Sequence, residues 1–127
     1  MRVYLSTTSK NLPKAREVMQ RIRDAGHEIT VDWTKGFEGE RDMTRLELTR
    51  RAVADIEGVR DADVFILYMQ PEMGLTGAMV EMGAALAVGT PVAVVQQEAE
   101  FTHFFKNHPG VALIASMDMA LAEMEEM

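Results

Sequence analysis

No cysteine occurs in the 127 residues, which removes disulfides, thiol catalysis and cysteine-ligated metals from consideration. Basic residues are also few. Thirteen Lys and Arg against twenty Asp and Glu leave a formal net charge of −7. A protein that grips a nucleic-acid backbone needs a basic surface, so a nucleic-acid polymer is not an expected partner. A single nucleotide is not excluded, because one phosphate requires only a local nest of donors. The first residues lack a basic segment leading into a long apolar run, so no signal peptide is expected. No uncharged apolar run is long enough to span a bilayer. No membrane partner is therefore expected, and a cytoplasmic protein is the simplest reading. Repeats, linkers and low-complexity runs are missing too. What remains is one domain over residues 1–127, large enough for one hydrophobic core and too small for two.

Short apolar runs alternate with helical patterns along the chain. Arg2–Ser6 reads as a first strand. A helix follows, with Pro13 in its first turn, Ala15, Val18, Met19 and Ile22 at helical spacing, and a stop at Gly26. His27–Val31 reads as a second strand and Asp32–Asp42 as a polar loop. A helix from about Met43 to Val59 precedes a third strand, Asp63–Met69. After the next helix come a fourth strand (Pro91–Val95), a short helix (Phe101–Phe105), a fifth strand (Val111–Ala115) and a closing helix (Met117–Met127). Strict alternation of this kind implies a parallel sheet covered by helices on both faces. The expected fold is α/β, a flavodoxin-like, Rossmann-type three-layer sandwich with a five-stranded parallel sheet. Its ligands should sit beyond the C-terminal strand ends, where the strand order switches.

Within the helix after the third strand, Gly77 to Gly89 carries a single charge, Glu81. A carboxylate on a mostly buried helix costs several kcal/mol if left unpaired, so it normally has a partner, a route to water or a ligand. Its helical neighbours Gly77, Ala78, Ala84 and Ala85 are small and leave room beside it. The helix alone also allows Glu81 to mark a wet side. The element order favours a functional role, because it brings Glu81 near the loop after strand one (Ser6–Lys10) and the loop after strand three (Gln70–Thr76).

The pattern Asp55-x7-Asp63, an apolar strand, a loop carrying Gly74, Glu81-Met-Gly-Ala and then Gly89-Thr-Pro-Val resembles the nucleoside 2-deoxyribosyltransferase family. That family includes the deoxynucleoside 5′-monophosphate N-glycosidases. The resemblance covers most of the chain in element order, with its specific residues between Asp55 and Val92. It implies an enzyme that cleaves the N-glycosidic bond of a nucleoside or nucleotide and needs neither cofactor nor metal. By the same resemblance Glu81 is the nucleophile, Asp55 helps hold and activate the nucleoside, and Tyr4 is an aromatic near the sugar. Thr7, Thr8 and Lys10 fall in the loop where phosphate-accepting members carry a hydroxyl and a cation. Gly74, Thr76 and Gly77 fall in the loop before the nucleophile. Thr102 matches a hydroxyl that reaches a neighbouring subunit's phosphate site, which implies a homodimer or higher homo-oligomer. The loop between Asp63 and Glu81 is about two residues longer than in the monophosphate glycosidases.

A TIR-like NAD glycohydrolase and a non-catalytic nucleotide-binding module are the alternative functions. Trp33 and Phe37 either stack on a base as a lid or plug the loop onto the core. Asp63 reads as structural, bonding loop amides. His103 and His108 lack the spacing of a helical metal-binding pair. Glu38, Glu40, Arg41 and Asp42 read as a solvated charge run. Met117, Met119, Met124 and Met127 imply that the last helix packs onto something, another chain being one option.

Overall fold

The computed structural model describes residues 1–37 and 43–127; the charge run at Glu38, Glu40, Arg41 and Asp42 lies outside the described residues. Five parallel strands form one sheet: β1 (Arg2–Ser6), β2 (Glu28–Ile29), β3 (Val64–Tyr68), β4 (Val92–Val95) and β5 (Val111–Ile114). The spatial order is β2-β1-β3-β4-β5, the flavodoxin-like order, whose switch point lies between β1 and β3. Four α-helices connect and close the strands: α1 (Leu12–Asp24), α2 (Arg45–Asp61), α3 (Thr76–Ala87) and α4 (Met117–Glu125). A short 3₁₀ helix at Phe104–Asn107 precedes β5.

Strand alternation divides the core. Val3 and Leu5 point to the face covered by α1 and α4, where they meet Val18, Met19, Ile22, Met117, Ala120 and Met124. Tyr4, Phe65 and Leu67 point to the opposite face and pack with Val59, Ala78, Met82 and Ala85 of α2 and α3. Pro13 stands in the first turn of α1, and the Asn11 side chain accepts from Lys14 N, so a fixed φ and a side-chain cap start the helix together. The Asp63 carboxylate accepts from the amide of Arg2 at 2.8 Å, pinning the start of β1 to that of β3.

Two expectations need correction. The second strand is shorter than His27–Val31. Thr30 still donates to Val3 O, but beyond it the indole Nε1 of Trp33 takes Leu5 O at 2.8 Å in place of a ladder amide. Val31 has turned towards α2, where a Cβ on Gly58 would stand 2.3 Å from its γ-carbon, so α2 crosses at a distance only glycine permits. The methionines of the last helix also divide. Met117 and Met124 fill the core, whereas Met119 and Met127 are exposed.

Candidate active site

Side chains on one face of a strand recur every second residue. In β1 this sets Tyr4 and Ser6 on the α2/α3 face, beside the buried side of α3. Both meet Glu81. The Tyr4 hydroxyl donates to Glu81 Oε2, and the Ser6 hydroxyl donates to Oε1 at 3.0 Å. Tyr4 is fully buried and stacks on Phe65, its partner in register on β3, with ring centroids 5.7 Å apart. Burial and the adjacent carboxylates push its phenol far above the ordinary range, so it remains a donor. Burial also raises the Glu81 carboxyl; the two hydroxyls pull it back down and the charge of Asp55 pushes it up.

Glu81 lies on the wall of a cleft of about 570 Å³ at the switch point of the sheet. The loop after β1 lines one side with Thr7, Thr8 and Lys10. The loop before α3 contributes Gly74, the start of α3 contributes Thr76 and Gly77, and α2 contributes Asp55. The β1 loop is anchored at its base. Thr7 Oγ1 donates to Tyr68 O at 2.7 Å and receives Gln70 Nε2 at 2.9 Å. Gln70, itself buried, receives Asn11 Nδ2 at 3.3 Å. Asp55 is half-buried and its carboxyl is raised, chiefly by burial, with Arg51 opposing.

The residues named from the sequence therefore converge, with two exceptions. Tyr4 lies behind Glu81 and does not line the cleft; its hydroxyl contacts the nucleophile candidate instead. Thr102 is exposed on the loop before the 3₁₀ helix and is absent from the lining of its own chain's cleft. Ser6, at the junction of the first strand and its loop, also lines the cleft; period-two alternation from Tyr4 is the signal for its contact with Glu81. Arg51, Leu48 and Ala52 line the cleft as well, at helical spacing from Asp55. Trp33 packs against both core clusters, as a plug would, and also lines the cleft together with Phe37. His103 Nδ1 accepts from Phe105 N and His108 Nδ1 from Gly110 N, each closing a turn.

One carboxylate held by two hydroxyls, with a second carboxyl lining the same cleft, is equipment suited to cleaving a glycosidic bond. The chain belongs to the nucleoside 2-deoxyribosyltransferase family, whose model matches residues 3–125. It is thus an enzyme of the glycosyl-transfer and N-glycoside-cleaving class. Among solved structures, the fold is similar to that of a 2-deoxyribosyltransferase from the psychrotolerant bacterium Bacillus psychrosaccharolyticus. The TM-score is 0.74 at 20% identity, over 95% of this chain and 90% of that one. The CMP N-glycosidase BcmB of Clostridium botulinum aligns with a TM-score of 0.66 at 16% identity, covering 98% of this chain and 99% of that one. A conserved protein from Enterococcus faecalis aligns with a TM-score of 0.71 at 13% identity, covering 99% and 98%. No curated protein sequence gives a significant match. Among the described residues, no helix is long and apolar enough to cross a membrane.

Proposed function

We propose that this enzyme cleaves the N-glycosidic bond of a (deoxy)nucleoside or its 5′-monophosphate by covalent catalysis through Glu81. The observation that carries the reading is the held carboxylate. Both oxygens of Glu81 accept from β1 hydroxyls while the side chain still lines the cleft. Those donors stabilise the ionised form, which is the nucleophile. Asp55 receives no comparable donors among the described residues and is raised by burial, which suits it to carry a proton. In the first step a Glu81 oxygen bonds to C1′ while the C1′–N bond breaks. Its electron pair goes to the base, which takes the proton of Asp55. Water or a second base then attacks C1′, releases Glu81, and gives its proton to Asp55.

The β1 loop supports a 5′-phosphate next to the sugar. Lys10 supplies a cation there and Thr8 a hydroxyl, while the Thr7 proton is committed to Tyr68 O and shapes the loop. The helix α3 begins without a side-chain cap, so its first-turn N–H groups add positive potential nearby. A panel of nucleosides and monophosphates, with and without an acceptor base, tests the function by release of free base. Cleavage of at least one compound is the expected result, and no turnover on any of them would refute it. If a monophosphate is the best substrate, Lys10→Ala should raise its KM about tenfold while changing KM for the free nucleoside little.

The working form of the proposal is a homodimer or larger homo-oligomer in which Thr102 serves a neighbour's site. Its support is the exposure of Thr102 together with the apolar surface of Val80, Val88 and Phe104. Light scattering should give at least twice the mass of one chain. Mixing inactive Glu81→Ala and Thr102→Arg chains should partly restore activity, and an active monomer would refute the shared site.

A further inference from the structure

The turn at Asp32–Phe37 lies outside strand and helix, and of its carbonyls its own amides reach only Asp32 O and Thr34 O, at 3.3 and 3.4 Å, so its carbonyls draw further donors from elsewhere. Three consecutive carbonyls find arginines. Arg51 Nη1 donates to Trp33 O at 3.1 Å and Nη2 to Lys35 O at 2.9 Å, while Arg16 Nη2 of α1 donates to Thr34 O at 3.1 Å. A third arginine, Arg23, pairs with Asp32 at 3.0 Å. Gly36, at φ +65°, turns the backbone between Lys35 O and Phe37. The Arg51 guanidinium carbon also lies 5.8 Å from the centre of the Phe37 ring. Of these arginines only Arg51 lines the cleft, together with Trp33 and Phe37. It stands one helical turn before Asp55, on the same side of α2.

A guanidinium is a rigid planar fork that spans two carbonyls while stacking on a ring; an ammonium is a point charge that does not reproduce all three contacts. We infer that Arg51 is a positioning residue: it fixes the Trp33–Phe37 turn as a standing wall of the cleft against which the substrate's base packs, and it thereby sets substrate affinity. The substrate part rests on the N-glycosidase reading, whereas the clamp itself rests on contacts within the free protein.

Trp33 is the only tryptophan of the chain, so its fluorescence reports the wall directly and without substrate. Arg51→Ala and Arg51→Lys should both red-shift its emission and increase its quenching by acrylamide, with unchanged far-ultraviolet circular dichroism. On the best substrate of the panel, both should raise KM about tenfold, and Arg51→Lys, which keeps the charge beside Asp55, should leave kcat within about twofold, as expected when charge-assisted hydrogen bonds that shape the bound state are lost. Unchanged Trp33 emission and quenching in both variants would overturn the clamp. Full recovery by Arg51→Lys would overturn the role of the fork, and a fall in kcat at constant KM would overturn positioning. Should Arg51→Ala fail to fold, Arg51→Lys carries the same comparison. If no compound of the panel is cleaved, the N-glycosidase reading fails, while the fluorescence of the free protein still decides the clamp.

Discussion

Helix α1 presses Ala15, Val18, Met19 and Ile22 into the sheet along one stripe, whereas α2 buries only Gly58 and Val59, although it has seventeen residues against thirteen. The missing contacts are accounted for by the cleft. In its first three turns α2 turns Leu48, Arg51, Ala52 and Asp55 towards the open site, and it reaches the sheet only near its C-terminal end. The outer side of this layer exposes Leu46, Val53, Val80 and Val88. The opposite layer packs α1 and α4 onto one continuous apolar cluster. Both faces of the sheet carry a buried apolar cluster, but only the α2/α3 face also leaves space for a ligand. The chemistry lies on one side of the plane of the sheet.

The widest test of this division is Glu81→Gln. Removal of the proposed nucleophile should lower kcat by at least about 10³-fold, with no loss of stability. The folded-state pKa of Glu81 is raised above its ordinary value of 4.5. Its protonated form therefore favours the fold, and that contribution is lost as pH rises through the raised value. Thermal melts should show Glu81→Gln to be more stable than wild type at pH 7, with the gain gone near pH 4. A variant that is fully active, or that is destabilised at pH 7, would break the assignment.

Next in size is a pair of truncations compared by urea denaturation. Met19→Ala, on the α1/α4 face, should cost about 2–5 kcal/mol by leaving a cavity. Val53→Ala, on the exposed outer side of α2, should stay within about 0.5 kcal/mol. Equal losses would mean that the outer side of α2 is covered in solution, as by a second chain. Smallest is Tyr4→Phe, which removes one hydroxyl and keeps the ring on Phe65. Its hydrogen bond favours the ionised Glu81, so its loss should move the acid limb of kcat/KM to higher pH and lower the plateau by about tenfold. A profile that does not move would make Tyr4 a packing residue only.

The α1/α4 face was the more legible one in the sequence. The helical spacing from Ala15 to Ile22 and the apolar runs of β3 and β4 each state one environment, buried, and the strand–helix alternation then leads to a doubly wound sheet. Glu81 was legible because it stands alone in an apolar helix. The second helix was harder to read because its inward stripe meets protein at one end and solvent at the other, so no single period marks Arg51 or Leu48 as facing the site. Strand two read too long because nothing local shows that an indole replaces its last amide. Ser6 and Gln70 acquire their roles only through contacts 75 and 59 residues distant in sequence. Thr102 rested on resemblance, and the fold places it away from its own cleft.

Because Tyr4 and Ser6 alternate with Val3 and Leu5 on a strand paired with β3 from Val3 to Ser6, the hydroxyls that orient Glu81 are fixed by the register of the sheet itself. No hinge lies between the donors and the hydrogen-bond ladder, so the carboxylate is aligned before any ligand arrives, without reorganisation at the moment of reaction. Amides of β1 should accordingly be among the slowest to exchange with deuterium, and the donor pair should come apart only with the global opening of the domain. The arginine-held turn touches β1 through the Trp33 indole on Leu5 O but lies outside the ladder and is the shallower unit. It can loosen, and with it the fit of a substrate, while the reacting group keeps its aim.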